Sequence, residues 1–92
     1  MDLERFRYFI NNFLKEYSIV CDNYPDELVD SRNITIGVFF HTESYVFVLD
    51  LKTYTFCVEK ITDKAIINIT PIFELFIRKL TIKQLYNEIY SN

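Results

Sequence analysis

The stretch that decides the fold is Ile34-Thr35-Ile36-Gly37-Val38-Phe39-Phe40-His41-Thr42-Glu43-Ser44-Tyr45-Val46-Phe47-Val48-Leu49-Asp50, continued by Leu51 to Glu59. Its apolar residues recur at every second position, the period of a strand with one buried face. Ile34, Ile36, Val38 and Phe40 share one face of a first strand. The polar stretch His41-Thr42-Glu43-Ser44 reads as a turn, after which Tyr45, Phe47 and Leu49 alternate with Val46, Val48 and Asp50. Asp50-Leu51-Lys52-Thr53 has Asp at the first position of a type I turn. Tyr54, Phe56 and Val58 then alternate with Thr55, Cys57 and Glu59. Three strands joined by short turns predict an antiparallel meander. Ile66-Ile67-Asn68-Ile69, beyond the turn at Thr62-Asp63-Lys64, makes it four-stranded if it pairs.

On either side the period lengthens. Leu3, Phe6, Phe9, Ile10, Phe13, Leu14 and Tyr17 fall three and four residues apart, which predicts an amphipathic helix over residues 3–17. Asp2 is placed to cap it and Glu4 suits the positive end of its dipole. Near the C-terminus, Thr70-Pro71 reads as a helix start, with Thr as cap and Pro at the first helical position. Ile72, Phe73, Phe76 and Leu80 form a buried stripe, but Ile82, Leu85, Tyr86 and Ile89 do not continue it. Thr81-Ile82-Lys83-Gln84 fits a capping box, so a break at Thr81 and two short helices are expected. The fold class is therefore α+β: an N-terminal helix, a three- or four-stranded antiparallel meander and two short C-terminal helices, forming one domain over residues 1–92. The expected core is Phe6, Phe9, Ile10, Phe13, Ile36, Val38, Phe47, Leu49, Phe56, Val58, Ile69, Phe76 and Leu85.

Residues 21–33 join the first helix to the sheet and carry most of the charge asymmetry. Residues 21–50 hold six acids (Asp22, Asp26, Glu27, Asp30, Glu43, Asp50) against one base, Arg32, in a chain whose net charge is −3. Pro25 is suited to open a helical turn through Asp26-Glu27-Leu28-Val29, which would bring Asp22, Asp26 and Asp30 to i, i+4 and i+8. Such a negative field steers and holds a basic partner. Charge runs are also commonly solvated faces and nothing more.

The chemistry-bearing residues are sparse. One glycine, Gly37, excludes GxGxxG and Walker-type phosphate loops. The acidic block has adjacent Asp26 and Glu27 and no mid-loop glycine, which does not fit a calcium loop. His41 is the single histidine and, with two distant cysteines, makes no convincing zinc set; no metal or cofactor is expected. Cys21 and Cys57 read as free thiols packed as small hydrophobes, with one bridge between them as the alternative. The N-terminus has Asp2 and Glu4 early and no apolar h-region, and no apolar run approaches a membrane-spanning length. The expected location is the cytoplasm, without membrane contact.

The helix–sheet–helix order resembles the double-stranded RNA-binding fold, which carries lysines at the start of its last helix. Here that position reads Thr70-Pro71-Ile72-Phe73-Glu74, so direct nucleic-acid binding is not expected. Size, acidity, aromatic richness and element order are similar to those of small phage-encoded inhibitors of bacterial defence, anti-CRISPR proteins among them. The single alanine and abundant Ile, Asn, Tyr, Phe and Lys are the bias of an AT-rich genome, common among mobile elements. The likeness is one of topology and composition over most of the chain and carries over no functional residue. It implies a mechanism in which carboxylates occupy the basic nucleic-acid groove of a nuclease.

The leading expectation is a non-enzymatic protein-binding inhibitor. Asp22, Asp26, Glu27 and Asp30 would engage a basic partner, with Tyr24 as an aromatic anchor. The alternative is a homodimer or larger assembly joined through a sheet edge or the aromatic C-terminal helices, with Tyr86 and Tyr90 partly exposed. An enzyme using Cys57 or His41 ranks last.

Overall fold

The computed structural model describes residues 1–17 and 37–90 in full and residues 26–30 as backbone. Helix α1 (Leu3–Tyr17) precedes strands β1 (Asp26–Asp30), β2 (Gly37–His41), β3 (Tyr45–Asp50), β4 (Phe56–Ile61) and β5 (Ile66–Asn68), and helix α2 (Thr70–Tyr90) follows them. The strands form one antiparallel sheet in the order β1-β2-β3-β4-β5, a meander in which chain neighbours are also spatial neighbours. The α+β class holds, as does the strand at Ile66–Asn68.

Local chemistry closes each turn. Thr42 Oγ1 accepts from Ser44 N and Tyr45 N at 3.3 and 3.0 Å, fixing the β2–β3 turn. Asp50 Oδ1 accepts from Lys52 N at 2.8 Å and Thr53 N at 3.3 Å. The β3–β4 connection is wider than a four-residue turn: Tyr54 N donates to Asp50 O at 2.7 Å and Tyr54 sits at a left-handed φ of 57°. Asp2 Oδ1 accepts from Arg5 N at 2.8 Å, so the aspartate caps α1 as its position indicates.

Both helices pack on the same sheet face. Val38, Phe40, Tyr45, Phe47, Leu49 and Val58 supply the sheet side of the core, and Phe6, Phe9, Ile10, Phe13 and Leu14 supply α1. Ile69, Phe73 and Phe76 complete it. Aromatic edges hold the layers together. Phe73 meets Phe6, Phe13, Phe47 and Phe56 at centroid distances of 6.1, 5.3, 5.7 and 5.7 Å. Such edge-to-face pairs each add roughly 0.5–1.5 kcal/mol beyond the area they bury.

Several sequence expectations need correction. Residues 26–29 are strand, not a helical turn, because Asp26–Asp30 pairs antiparallel with Gly37–His41. The meander thus gains a fifth strand. α2 is one 21-residue helix rather than two. Thr81 does not cap a new helix; its hydroxyl donates to Ile77 O at 2.8 Å, one turn back within the same helix. With neither Gly nor Pro in Leu80-Thr81-Ile82-Lys83, nothing interrupts the backbone. Thr70 is not the cap either: the Asn68 side-chain oxygen accepts from Thr70 N at 2.9 Å. The Thr70 hydroxyl instead accepts from Val58 N at 2.9 Å and pins the helix start to β4. Leu85, expected in the core, is 53% exposed, Ile72, expected in the buried stripe of the helix, is also more than half exposed, and Phe56 lies at the core's edge. Ile34 and Ile36 lie outside the described residues.

Candidate interaction site

Helix α2 carries two opposed apolar stripes. Spacing places Phe73, Phe76 and Leu80 on the side that faces the sheet, with Ile77 beside them. Continued by the same spacing, that side meets Gln84 and Asn87, which are polar. Gln84 Nε2 donates to the hydroxyl of Tyr8 on α1, so the second half of α2 faces the body through a polar contact.

Of the apolar residues in residues 81–90, Ile82, Leu85, Tyr86 and Ile89 lie on the far side and Tyr90 on its flank. Ile82, Leu85, Tyr86, Ile89 and Tyr90 are all more than half exposed, as are Ile72 and Leu75 earlier in the helix. Leu75, Ile82 and Ile89 are seven residues apart, and Leu85 falls three after Ile82. This is a heptad stripe with Leu75, Ile82 and Ile89 at a and Arg78 and Leu85 at d. Phe73 and Leu80 then occupy f, the position opposite the stripe. The exposed Glu74 (g) and Lys79 (e) flank it. Tyr86 and Tyr90 pack ring to ring at 4.5 Å beside it. Isolated exposed apolar residues are ordinary on protein surfaces; a contiguous stripe along a whole helix is what marks a contact surface.

The acidic positions are arranged differently from expectation. Asp22 and Tyr24 lie outside the described residues. Asp26, Glu27 and Asp30 belong to β1, an edge strand hydrogen-bonded on its β2 side and opposite His41, Phe40 and Gly37. Strand alternation assigns positions 26, 28 and 30 to one sheet face and 27 and 29 to the other. The expected carboxylate stripe along one helical face is therefore absent from residues 26–30. Charge on an edge strand also has a second consequence, since it discourages edge-to-edge pairing with other sheets.

The sheet face away from the helices bears Phe39, Val46, Val48 and Cys57, all partly exposed, with Ile61 and Ile66 at its β5 end. Cys57 is a free thiol, and Cys21 lies outside the described residues. His41 is exposed, with Nδ1 3.5 Å from Thr42 O. His41 and Cys57 are on β2 and β4 with β3 between them, and the register sets Cys57 level with Phe39, two residues from His41, so the two are about 12 Å apart by strand and residue spacing, too far to form a nucleophile–base pair. Among the described residues no group of three or more His, Cys, Asp or Glu could hold a metal ion. None of the described helices is long and apolar enough to cross a membrane. The thiol therefore has a neighbour of a different kind: the Thr70 hydroxyl, 3.7 Å from Cys57 Sγ.

Comparison with protein-family models finds no match, and comparisons with curated proteins and with solved structures find none either. The functional reading rests on the geometry. Sequence reasoning missed the stripe as a unit because it assigned Leu85 to the core. The readable signal was the seven-residue spacing of Leu75, Ile82 and Ile89 together with the polar Gln84 and Asn87 on the side where a core stripe would continue.

Proposed function

We propose that this chain is a non-enzymatic protein-binding module that works through the outer face of α2. The observation that carries the reading is the inversion within that helix. Residues 70–80 direct Phe73 and Phe76 to the core, whereas residues 81–90 leave Ile82, Leu85, Tyr86, Ile89 and Tyr90 in water. Burying apolar area of this kind is worth roughly 25 cal/mol per Å², so an exposed row of five such side chains is a costly surface unless something covers it.

A second reading is an inhibitor of the anti-CRISPR type, presenting Asp22, Tyr24, Asp26, Glu27 and Asp30 to a basic nucleic-acid-binding partner such as a nuclease. What favours it is the position of Asp26, Glu27 and Asp30 on β1, which among the described residues is an edge strand paired only to β2. In this reading association slows as salt rises.

Tagged protein incubated with bacterial lysate and an untagged copy separates the two. Ile82→Lys/Ile89→Lys is expected to release whatever the native protein holds, and Asp26→Lys/Glu27→Lys to retain it. Release by the acidic-strand variant alone would transfer the function to β1. Retention by both variants would overturn both readings.

A further inference from the structure

We infer that the partner of the α2 stripe is a second copy of this chain, with the two α2 helices packed in parallel as a two-stranded coiled coil. The inference rests on the α2 reading above and names its partner. Three observations favour it. The first is the heptad itself: Ile82 and Ile89 at a with Leu85 at d is the combination that selects two parallel strands over larger assemblies.

The second is charge complementarity. In a parallel pair, a g residue faces the e residue five positions later on the other helix. Glu74 then meets Lys79 of the second copy, and the twofold axis repeats the contact. An antiparallel pair sets g against g and separates these two charges. The third is placement. The stripe lies opposite Phe73 and Leu80, so the sheet packed on them sits on the outer side of each helix, away from the seam. The helix is already ordered by packing its first half against the sheet, so pairing does not have to meet the cost of helix nucleation.

Arg78 works against the pair. At d it would meet its own copy, a like-charge contact inside the seam that the long side chain can ease only by reaching outward. The dimer is accordingly modest in affinity, and Arg78→Leu should tighten it about tenfold or more.

Sedimentation equilibrium of the full chain, from about 1 µM to about 300 µM, covers the relevant range of affinities. A monomer–dimer equilibrium is expected. Lys79→Glu, which turns two attractions into two repulsions, should weaken it about tenfold. Glu74→Lys/Lys79→Glu should restore it, and Ile82→Lys/Ile89→Lys should abolish it. A monomer at every concentration overturns the inference. In that case a different protein still held through α2 in the tagged-chain experiment leaves the module reading standing, and no α2-dependent capture removes both. A dimer insensitive to Ile82→Lys/Ile89→Lys also overturns the inference, and the module reading then stands or falls with α2-dependent capture. A dimer lost in that variant but not restored by the charge swap overturns the parallel pairing.

Discussion

The two halves of α2 are similar in apolar content and opposite in fate. In residues 70–80, Phe73 is fully buried and Phe76 is 8% exposed; in residues 81–90, Ile82 and Ile89 are 65% and 67% exposed. Hydrophobicity does not separate them. Phase does: the first half directs its aromatics toward Phe6, Phe13 and Phe47, and the second directs Gln84 toward Tyr8 and its aliphatics away. The first half joins the fold through Phe73 and Phe76 and begins the outer stripe at Leu75, and the second half extends that surface.

The most forceful way to break this contrast is Phe73→Ala. Removing a fully buried ring that contacts four other phenylalanines outside its own helix should cost about 3–5 kcal/mol, read by urea denaturation. A loss below about 1 kcal/mol would place Phe73 outside the cooperative core. Thr70→Val keeps the side chain's shape but leaves Val58 N without its 2.9 Å acceptor, for an expected loss of about 1–3 kcal/mol in the same assay. Asn68→Ala removes the acceptor for Thr70 N and should cost about 1 kcal/mol; an unchanged midpoint would mean that Pro71 and the Val58 latch suffice to start the helix. Ile89→Ala sharpens the comparison from the other side. In dilute protein it should shift stability by no more than about 0.5 kcal/mol, because the residue is already in water. A larger loss would mean that residues 81–90 are buried in the folded monomer.

The acidic strand teaches a related lesson. Asp26-Glu27-Leu28-Val29-Asp30 is poor in β-formers and follows a proline, and local rules favour a helical turn there. It is a strand because β2 offers a hydrogen-bonding edge, a partner that lies beyond the span of any local pattern. Cys57 and His41 show the converse. Neither had a chemical partner nearby in the sequence, and strand order keeps them apart.

The sequence by itself determined α1 with its Asp2 cap, the alternation that builds β2, β3 and β4, the turn between β2 and β3, and most of the aromatic core. These are short-range patterns, in which residues two to four apart share a face and a side chain can reach the backbone of its own turn. Tertiary structure alone decided the pairing of β1, the continuity of α2 through Thr81 and the exposure of Leu85. Each depends on which surface a segment meets. A helix's apolar residues are buried only where the sheet is beneath them, and α2 continues with its stripe turned away from the body.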